Sequence, residues 1–279
     1  MKVVSTKNEL INLIGNHKKA AESIGFVPTM GALHPGHLSL IKESRKDCDV
    51  VVASVFVNPT QFNDPEDLKR YPRTPEKDTA LLASAGCDYI FMPSVEEIYP
   101  EKDTRKFDFG YLETVMEGAK RPGHFNGVGQ VVSRLFDIVQ PDRAYFGMKD
   151  FQQIAIIKEM VRQLNYAVEI VPCPIVREES GLALSSRNML LDEEHKKNAP
   201  HIYDTLKKAR NLVIQMNVSD LKKWITDEIN RNPFLKTEYV EIVDDTTLKV
   251  VENWEQPGKK VACVAVYAGK IRLIDNIIF

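Results

Sequence analysis

The chain has little that would set it apart from ordinary soluble proteins, and each shortage excludes something. Only 4 of its 279 residues are cysteine. Cys48, Cys87, Cys173 and Cys263 are scattered with no Cys-x-x-Cys, so four reduced thiols are expected and neither a disulfide framework nor a zinc site is. Long apolar runs are missing too. Residues 50–57 are far too few to cross a bilayer, and the first nine residues lack the apolar core of a signal peptide. Neither sign of charge dominates. With 37 Lys and Arg against 39 Asp and Glu, the net charge of −2 argues against a nucleic-acid or membrane-surface protein, while leaving room for a local basic cleft. There is no internal repeat and no low-complexity tract. The expectation is a cytoplasmic protein with no nucleic-acid or membrane partner. A length of 279 residues with 43% hydrophobic content suits one large domain or two unequal ones.

Over roughly the first 175 residues, short apolar runs alternate with helical patterns. Residues 25–29, 50–57, 89–92, 144–146 and 168–171 have the continuous apolar character of strands buried on both faces of a parallel sheet. Thr74-Pro75 reads as a helix start and Gly86 as its end. Val128, Val131, Val132, Leu135, Phe136 and Val139 form one helical stripe; Ile154, Ile157, Met160, Val161 and Leu164 form another. The pattern predicts an α/β fold, a Rossmann-like doubly wound parallel sheet over residues 1–175, with ligands beyond the carboxyl ends of the strands. After Arg177 the pattern changes. A helix capped by Asp192 and running toward Met216, a second capped by Ser219, and strands at 238–243, 249–251, 261–267 and 271–274 predict a smaller α+β lid domain over 176–279, with a hairpin turn at Tyr267-Ala268-Gly269-Lys270.

Five blocks carry polar chemistry. In Pro28-Thr29-Met30-Gly31-Ala32-Leu33-His34-Pro35-Gly36-His37 a strand runs into a Gly/Pro turn. Two histidines stand three apart at the mouth of a helix, which would offer backbone N–H groups, a helix dipole and imidazoles to a polyphosphate. A metal site or plain surface histidines would share the spacing, but no third ligand stands nearby. Phe56-Val57-Asn58-Pro59-Thr60-Gln61 places amides after the second strand, where a simple Asn-Pro turn is the bland reading. Arg121-Pro122-Gly123-His124-Phe125-Asn126-Gly127 is a basic loop opening a helix. Gly147-Met148-Lys149-Asp150-Phe151-Gln152-Gln153 joins a strand to a helix, with Lys149 as a mobile cation and Asp150 as a cap. Val176-Arg177 and Leu184-Ser185-Ser186-Arg187 bring hydroxyls and a guanidinium suited to a triphosphate, or form a plain linker.

His-x-Gly-His after a first strand resembles the nucleotidyltransferase superfamily, and the whole first block resembles the pantothenate synthetase family. The other blocks follow in that family's order between Met30 and Asn188. Gly129-Gln130 departs from the small residue and Thr that the family pattern would put there. The resemblance implies ATP-dependent condensation of (R)-pantoate with β-alanine through a pantoyl adenylate. It implies His37, His34, Lys149 and Arg187 as catalytic residues. ATP would be held by residues 30–37, Gly147, Met148, Lys149, Asp150, Val176, Leu184, Ser185, Ser186 and Arg187. Gln61, Gln153, Asn58 and Arg121 would bind the acid substrate. Asp78, in the Tyr71-Pro72-Arg73-Thr74-Pro75 stretch and its helix, would hold Mg²⁺, although a first-turn Asp often only compensates the helix dipole. The family also implies a homodimer. Two other readings stand beside this one. One is a nucleotidyltransferase that joins a nucleotide to a phosphorylated acceptor, which the amides at Asn58, Gln61 and Gln153 disfavour. The other is a nucleotide-binding regulator without chemistry, which His37, Lys149 and Arg187 disfavour.

Overall fold

A computed structural model describes residues 1–63 and 65–279. Met1–Met148 with Gln153–Pro174 form one compact unit, and Lys149–Gln152 with Ile175–Phe279 the other.

The first unit runs β1 (Lys2–Val4), α1 (Lys7–Lys19), β2 (Ile24–Thr29), α2 (Pro35–Asp47), β3 (Val50–Val55), α3 (Pro65–Arg70), α4 (Pro75–Ser84), β4 (Tyr89–Phe91), α5 (Val95–Ile98), α6 (Met116–Lys120), α7 (His124–Val139), β5 (Arg143–Gly147), α8 (Phe151–Leu164) and β6 (Glu169–Cys173). Its six strands lie in the order β1-β4-β3-β2-β5-β6, every pair parallel. This is the expected doubly wound sheet. Alternate residues of one strand supply opposite faces, which is why the strands read as unbroken apolar runs. Ile24, Phe26, Val50 and Val52 join the core with Val128, Val132, Leu135 and Phe136 of α7. Val27, Val51 and Ala53 join a second core with Leu40 and Ile41 of α2 and Leu82 of α4. Strand β1, where only Val4 of the three residues is buried, lies outside the expected strands.

The second unit holds α9 (Glu193–Asn198), α10 (His201–Leu212), α11 (Val218–Asn230) and an antiparallel sheet β7 (Leu235–Asp244), β8 (Lys260–Ala268), β9 (Ile271–Ile278). Ile202, Leu206 and Ala209 of α10 and Leu221, Ile225 and Ile229 of α11 pack on Val240, Ile242, Ala262, Val264 and Val266. Three details depart from expectation. The helix begun at Asp192 stops at Asn198 and restarts at His201, because Pro200 has no N–H to continue it. The cap of α11 is Asn217, whose side chain accepts from the Asp220 N–H at 2.8 Å, and not Ser219. Residues 249–251 form no strand; Val250 makes one isolated bridge to Val243. The β8–β9 hairpin turns as expected at Gly269, whose φ of +60° suits glycine.

The four cysteines are free and buried. Burial pushes the Cys87 thiol up to about 12 and Cys173 up to about 11, so neither is a nucleophile at neutral pH. Among the described residues no helix is long and apolar enough to cross a membrane.

Candidate active site

Strand β2 lies between β3 and β5; the chain leaves β2 toward β3 on one side and leaves β5 toward β6 on the other. The switch point of the sheet therefore falls at the carboxyl ends of β2 and β5, where such folds bind ligands. Met30 to His34 follow β2, and Gly147 ends β5. His34 is the N-cap residue of α2, Pro35 opens the helix, and His37 closes its first turn. The two imidazole rings lie with centroids 4.0 Å apart and planes inclined by 38°. The His34 N–H donates to Nδ1 of His37 at 3.4 Å, a long bond that places the proton of a neutral His37 ring on Nε2. Both predicted histidines thus stand at the helix mouth as one group.

The backbone donors of Gly31, Ala32 and Leu33 are used within the protein. The Gly31 N–H donates to Thr29 Oγ1 at 3.2 Å. The Ala32 and Leu33 N–H groups donate to the two carboxylate oxygens of Asp78, at 2.9 and 2.8 Å. A buried N–H already paired with a carboxylate has nothing left for a phosphate.

Asn58 is held by the protein in the same way. It is 1% exposed, and its groups are consumed by the fold. Its Oδ1 accepts from the Thr60 N–H, the Thr60 hydroxyl and the Tyr99 hydroxyl at 3.3, 3.1 and 2.9 Å. Its Nδ2 donates to Gly127 O at 3.1 Å and Gln61 Oε1 at 3.2 Å. Asn58 therefore shapes the Pro59–Gln61 turn and orients Gln61. With its oxygen held, Gln61 turns Nε2 to within 2.9 Å of the Met30 sulfur, which brings the second block beside the first. The turn rests on α7, where a Cβ at Gly127 would lie 2.4 Å from Thr60 O. His124, not foreseen as a site residue, ties these parts together. Arg121 Nη1 lies 3.0 Å from His124 Nε2, and His124 Nδ1 lies 2.8 Å from Gln61 O. Arginine only donates, so Nε2 accepts and Nδ1–H donates to the carbonyl: His124 is neutral here. Gln153 lies half-buried in the first turn of α8.

In the second unit, Val176 and Leu184 are brought together by the Leu184 N–H donating to Val176 O at 3.0 Å. A turn at Gly181 (φ +93°) closes this hairpin. Ser185 caps the turn Ser186–Leu190 by accepting from the Arg187 N–H at 3.3 Å. Lys149 and Asp150 lie in a one-turn helix before α8, with an ammonium–carboxylate distance of 3.9 Å. Two residues of β9 support these segments. Asn276 Nδ2 donates to Lys149 O at 3.2 Å. Asp275 takes a bidentate ion pair from Arg177 at 2.6 and 2.8 Å, and the guanidinium stacks on the Tyr203 ring, 3.4 Å from its centroid. A polar pair inside the apolar run Ile271–Ile278 was the sequence signal for this clamp.

A model of the pantoate–β-alanine ligase family matches residues 2–278. The chain belongs to the pantoate–β-alanine ligase family. It is 54% identical over 277 residues to a pantothenate synthetase of Porphyromonas gingivalis, a match covering 99% of each chain. It is 56% identical over 277 residues to one of Bacteroides fragilis, covering 99% of this chain and 98% of that one. A crystal structure of pantothenate synthetase from Thermus thermophilus is 46% identical with a TM-score of 0.93 over 99% of each chain. A pantoate–β-alanine ligase from Francisella tularensis, crystallised with β,γ-ATP and β-alanine, is 35% identical with a TM-score of 0.84, covering 100% of this chain and 97% of that one.

Within this ligase fold, the departure at Gly129-Gln130 has a structural cause. Gln130 Nε2 donates to the carbonyls of Asp103 and Arg105 at 3.3 and 2.7 Å, tying a long loop to α7. A Cβ at Gly129 would stand 2.8 Å from the Phe107 ring. The expected magnesium ligand is a different matter. Asp78 is 1% exposed, and its oxygens are held by Ala32, Leu33 and the Thr74 hydroxyl. Among the described residues no group of three or more His, Cys, Asp or Glu side chains is placed to hold a metal ion. With three protein donors on its two oxygens, the Asp78 carboxylate does not fit a magnesium ligand.

Proposed function

We propose that this ligase activates (R)-pantoate with ATP and passes the acyl group to β-alanine in the cytoplasm, as a homodimer. The observation that carries this reading is the joining of Gln61, Met30 and the His34–His37 pair at the carboxyl end of β2. It sets a neutral amide against the Met30 sulfur, in the loop that leads to the two imidazoles. An amide can hold a carboxylate or hydroxyl without neutralising it, so the carboxylate stays nucleophilic. A phosphorylated acceptor would call for cations at that position, which disfavours the alternative nucleotidyltransferase reading.

A carboxylate oxygen of pantoate attacks the α-phosphorus of ATP. The bond from that phosphorus to the bridging oxygen breaks, and pyrophosphate leaves. The amine of β-alanine then attacks the acyl carbon of pantoyl adenylate, loses a proton and expels AMP. Positioning and charge stabilisation supply most of such catalysis. His37 and His34 serve the phosphates, and Lys149, Ser185, Ser186 and Arg187 complete the charge balance. Magnesium arrives with the nucleotide. Gln61 and Gln153 hold pantoate, with Arg121 acting through His124.

Pantoate labelled with heavy oxygen in its carboxylate is expected to pass one label to AMP, read by mass spectrometry. Label in inorganic phosphate beside ADP would mean acyl-phosphate chemistry and would sink the reading. Gln61→Ala is expected to weaken pantoate binding by about tenfold to a hundredfold, the cost of one amide contact of roughly 1–3 kcal/mol. Calorimetry should find ATP affinity nearly unchanged; an equal loss for ATP would put Gln61 in the wrong subsite.

A further inference from the structure

Asp78 sits in the first turn of α4, yet its carboxylate does not serve its own helix. It reaches across the sequence to the loop after β2, where Oδ2 accepts from Ala32 N–H and Oδ1 from Leu33 N–H. Thr74, the residue before α4, donates its hydroxyl to Oδ1 at 3.1 Å. The loop is shaped around this anion. Gly31 and Ala32 both have left-handed backbones, with φ of +84° and +50°, and successive N–H groups in such a turn converge on one negative charge. A Cβ at Gly31 would lie 3.0 Å from Asp78 Oδ2 and 3.0 Å from Val55 Cγ1. The loop cannot shift toward either side without losing these fits. Its next residues are His34 and His37.

Two other roles fit less well. Dipole compensation would leave the carboxylate exposed at its own helix end, and Asp78 is 1% exposed. Magnesium demands near-octahedral oxygen coordination, keeps several waters and dehydrates reluctantly. Here three protein donors already occupy both oxygens in a nearly dry position. A metal would have to expel the Ala32 and Leu33 amides and undo the loop that carries the histidines.

We propose that Asp78 is a positioning residue and not a magnesium ligand: it is the built-in anion of the Gly31–Leu33 turn, and it fixes His34 and His37 for pantoate adenylation. The catalytic half of this statement rests on the adenylation reading; the loop-fixing half does not.

The test is Asp78→Asn, whose carboxamide can accept from only one of the two amides and turns an N–H toward the other. Hydrogen exchange of the Ala32 and Leu33 amides, followed by NMR, is expected to be slow in the unmodified enzyme, unaffected by Mg²⁺ alone, and at least about tenfold faster in the variant. Pantoate-dependent ATP–pyrophosphate exchange should fall by about tenfold to a hundredfold, in line with the loss of one charge-assisted bond. The half-activating Mg²⁺ concentration should stay the same. Synthetic pantoyl adenylate should still be joined to β-alanine near the normal rate, which a general loss of structure would not allow. A half-activating Mg²⁺ concentration raised tenfold or more, with activity restored at high Mg²⁺, would overturn the proposal. So would unchanged amide exchange. If Asp78→Asn fails to fold by circular dichroism, Thr74→Val removes one donor to the same carboxylate. It should speed amide exchange severalfold and slow adenylation by a smaller factor, and no change in either measurement would again overturn the proposal. Absence of pantoate-dependent exchange in the unmodified enzyme would defeat the adenylation reading, while the amide measurements would still decide the role of Asp78.

Discussion

Lys149→Ala is expected to slow pantoyl adenylate formation by about 10²–10³-fold, the usual cost of removing one electrostatic donor from a developing charge. Negative charge gathers on the leaving pyrophosphate as its bond to the α-phosphorus breaks, and an ammonium is worth most there. The second half-reaction has no pyrophosphate to stabilise. Given ready-made pantoyl adenylate, the variant should join it to β-alanine at a rate much nearer normal. His37→Ala should lose a similar factor in the first step, because its Nε2 proton lies on the side away from the His34 N–H and can serve a phosphate oxygen. The fold should survive in both cases, since neither side chain belongs to a core cluster. Single-turnover measurement of each half-reaction decides the matter. Equal damage to both steps by Lys149→Ala would mean that it positions the acyl adenylate in general.

The support beneath Lys149 was hidden from the sequence for a physical reason. Its block reads as a strand followed by a helix, which says nothing about what holds the turn. That role falls to Asn276, well over a hundred residues later, through a single hydrogen bond to the Lys149 carbonyl. Contacts of this separation leave no periodicity to read. What periodicity could carry, it carried: buried runs such as Val50-Val51-Val52-Ala53 gave the parallel sheet, because both faces demand apolar residues. Turn chemistry was partly legible. Gly269 was foreseen, whereas Asn217 and Ser219 are equally good caps on paper, and packing of Val218 and Leu221 into the core chose between them. The site residues show the same limit. Asn58 and Gln61 are amides after the same strand and Asp78 is an acid in a helix's first turn, and sequence alone does not say which of them the fold consumes. Burial separates them. Asn58 and Asp78 spend their groups on the loops around them, while Gln61 stays half-exposed with its amide toward Met30.

Arg177→Ala is expected to cost the second unit about 3–5 kcal/mol, the usual penalty for stranding one charge of a buried pair. Asp275 is 5% exposed and takes both of its ionic bonds from Arg177. Exposed pairs such as Lys223–Asp227, with side chains 75% and 54% exposed, should cost no more than about 1 kcal/mol when broken. Burial pushes the Asp275 carboxyl up, and Arg177 opposes it. Removing the guanidinium leaves burial opposed only by the Asn276 N–H and the Lys149 charge, so the folded-state value, already above the unfolded value of about 3.9, rises further. A carboxyl raised in the fold destabilises above its unfolded value, so the deficit of the variant should be small near pH 4 and should grow as the pH rises toward 7. Replacing both partners, Arg177→Met with Asp275→Leu, should recover most of the loss, because no buried charge is then left alone. Urea denaturation at the two pH values measures all of this. Loss of Arg177 should also slow adenylation through Asn276, which neighbours Asp275 and holds the Lys149 turn. A deficit under about 1 kcal/mol, or one independent of pH, would show that solvent already shares the Asp275 charge and that β9 does not hold the Arg177 loop and the Lys149 turn together.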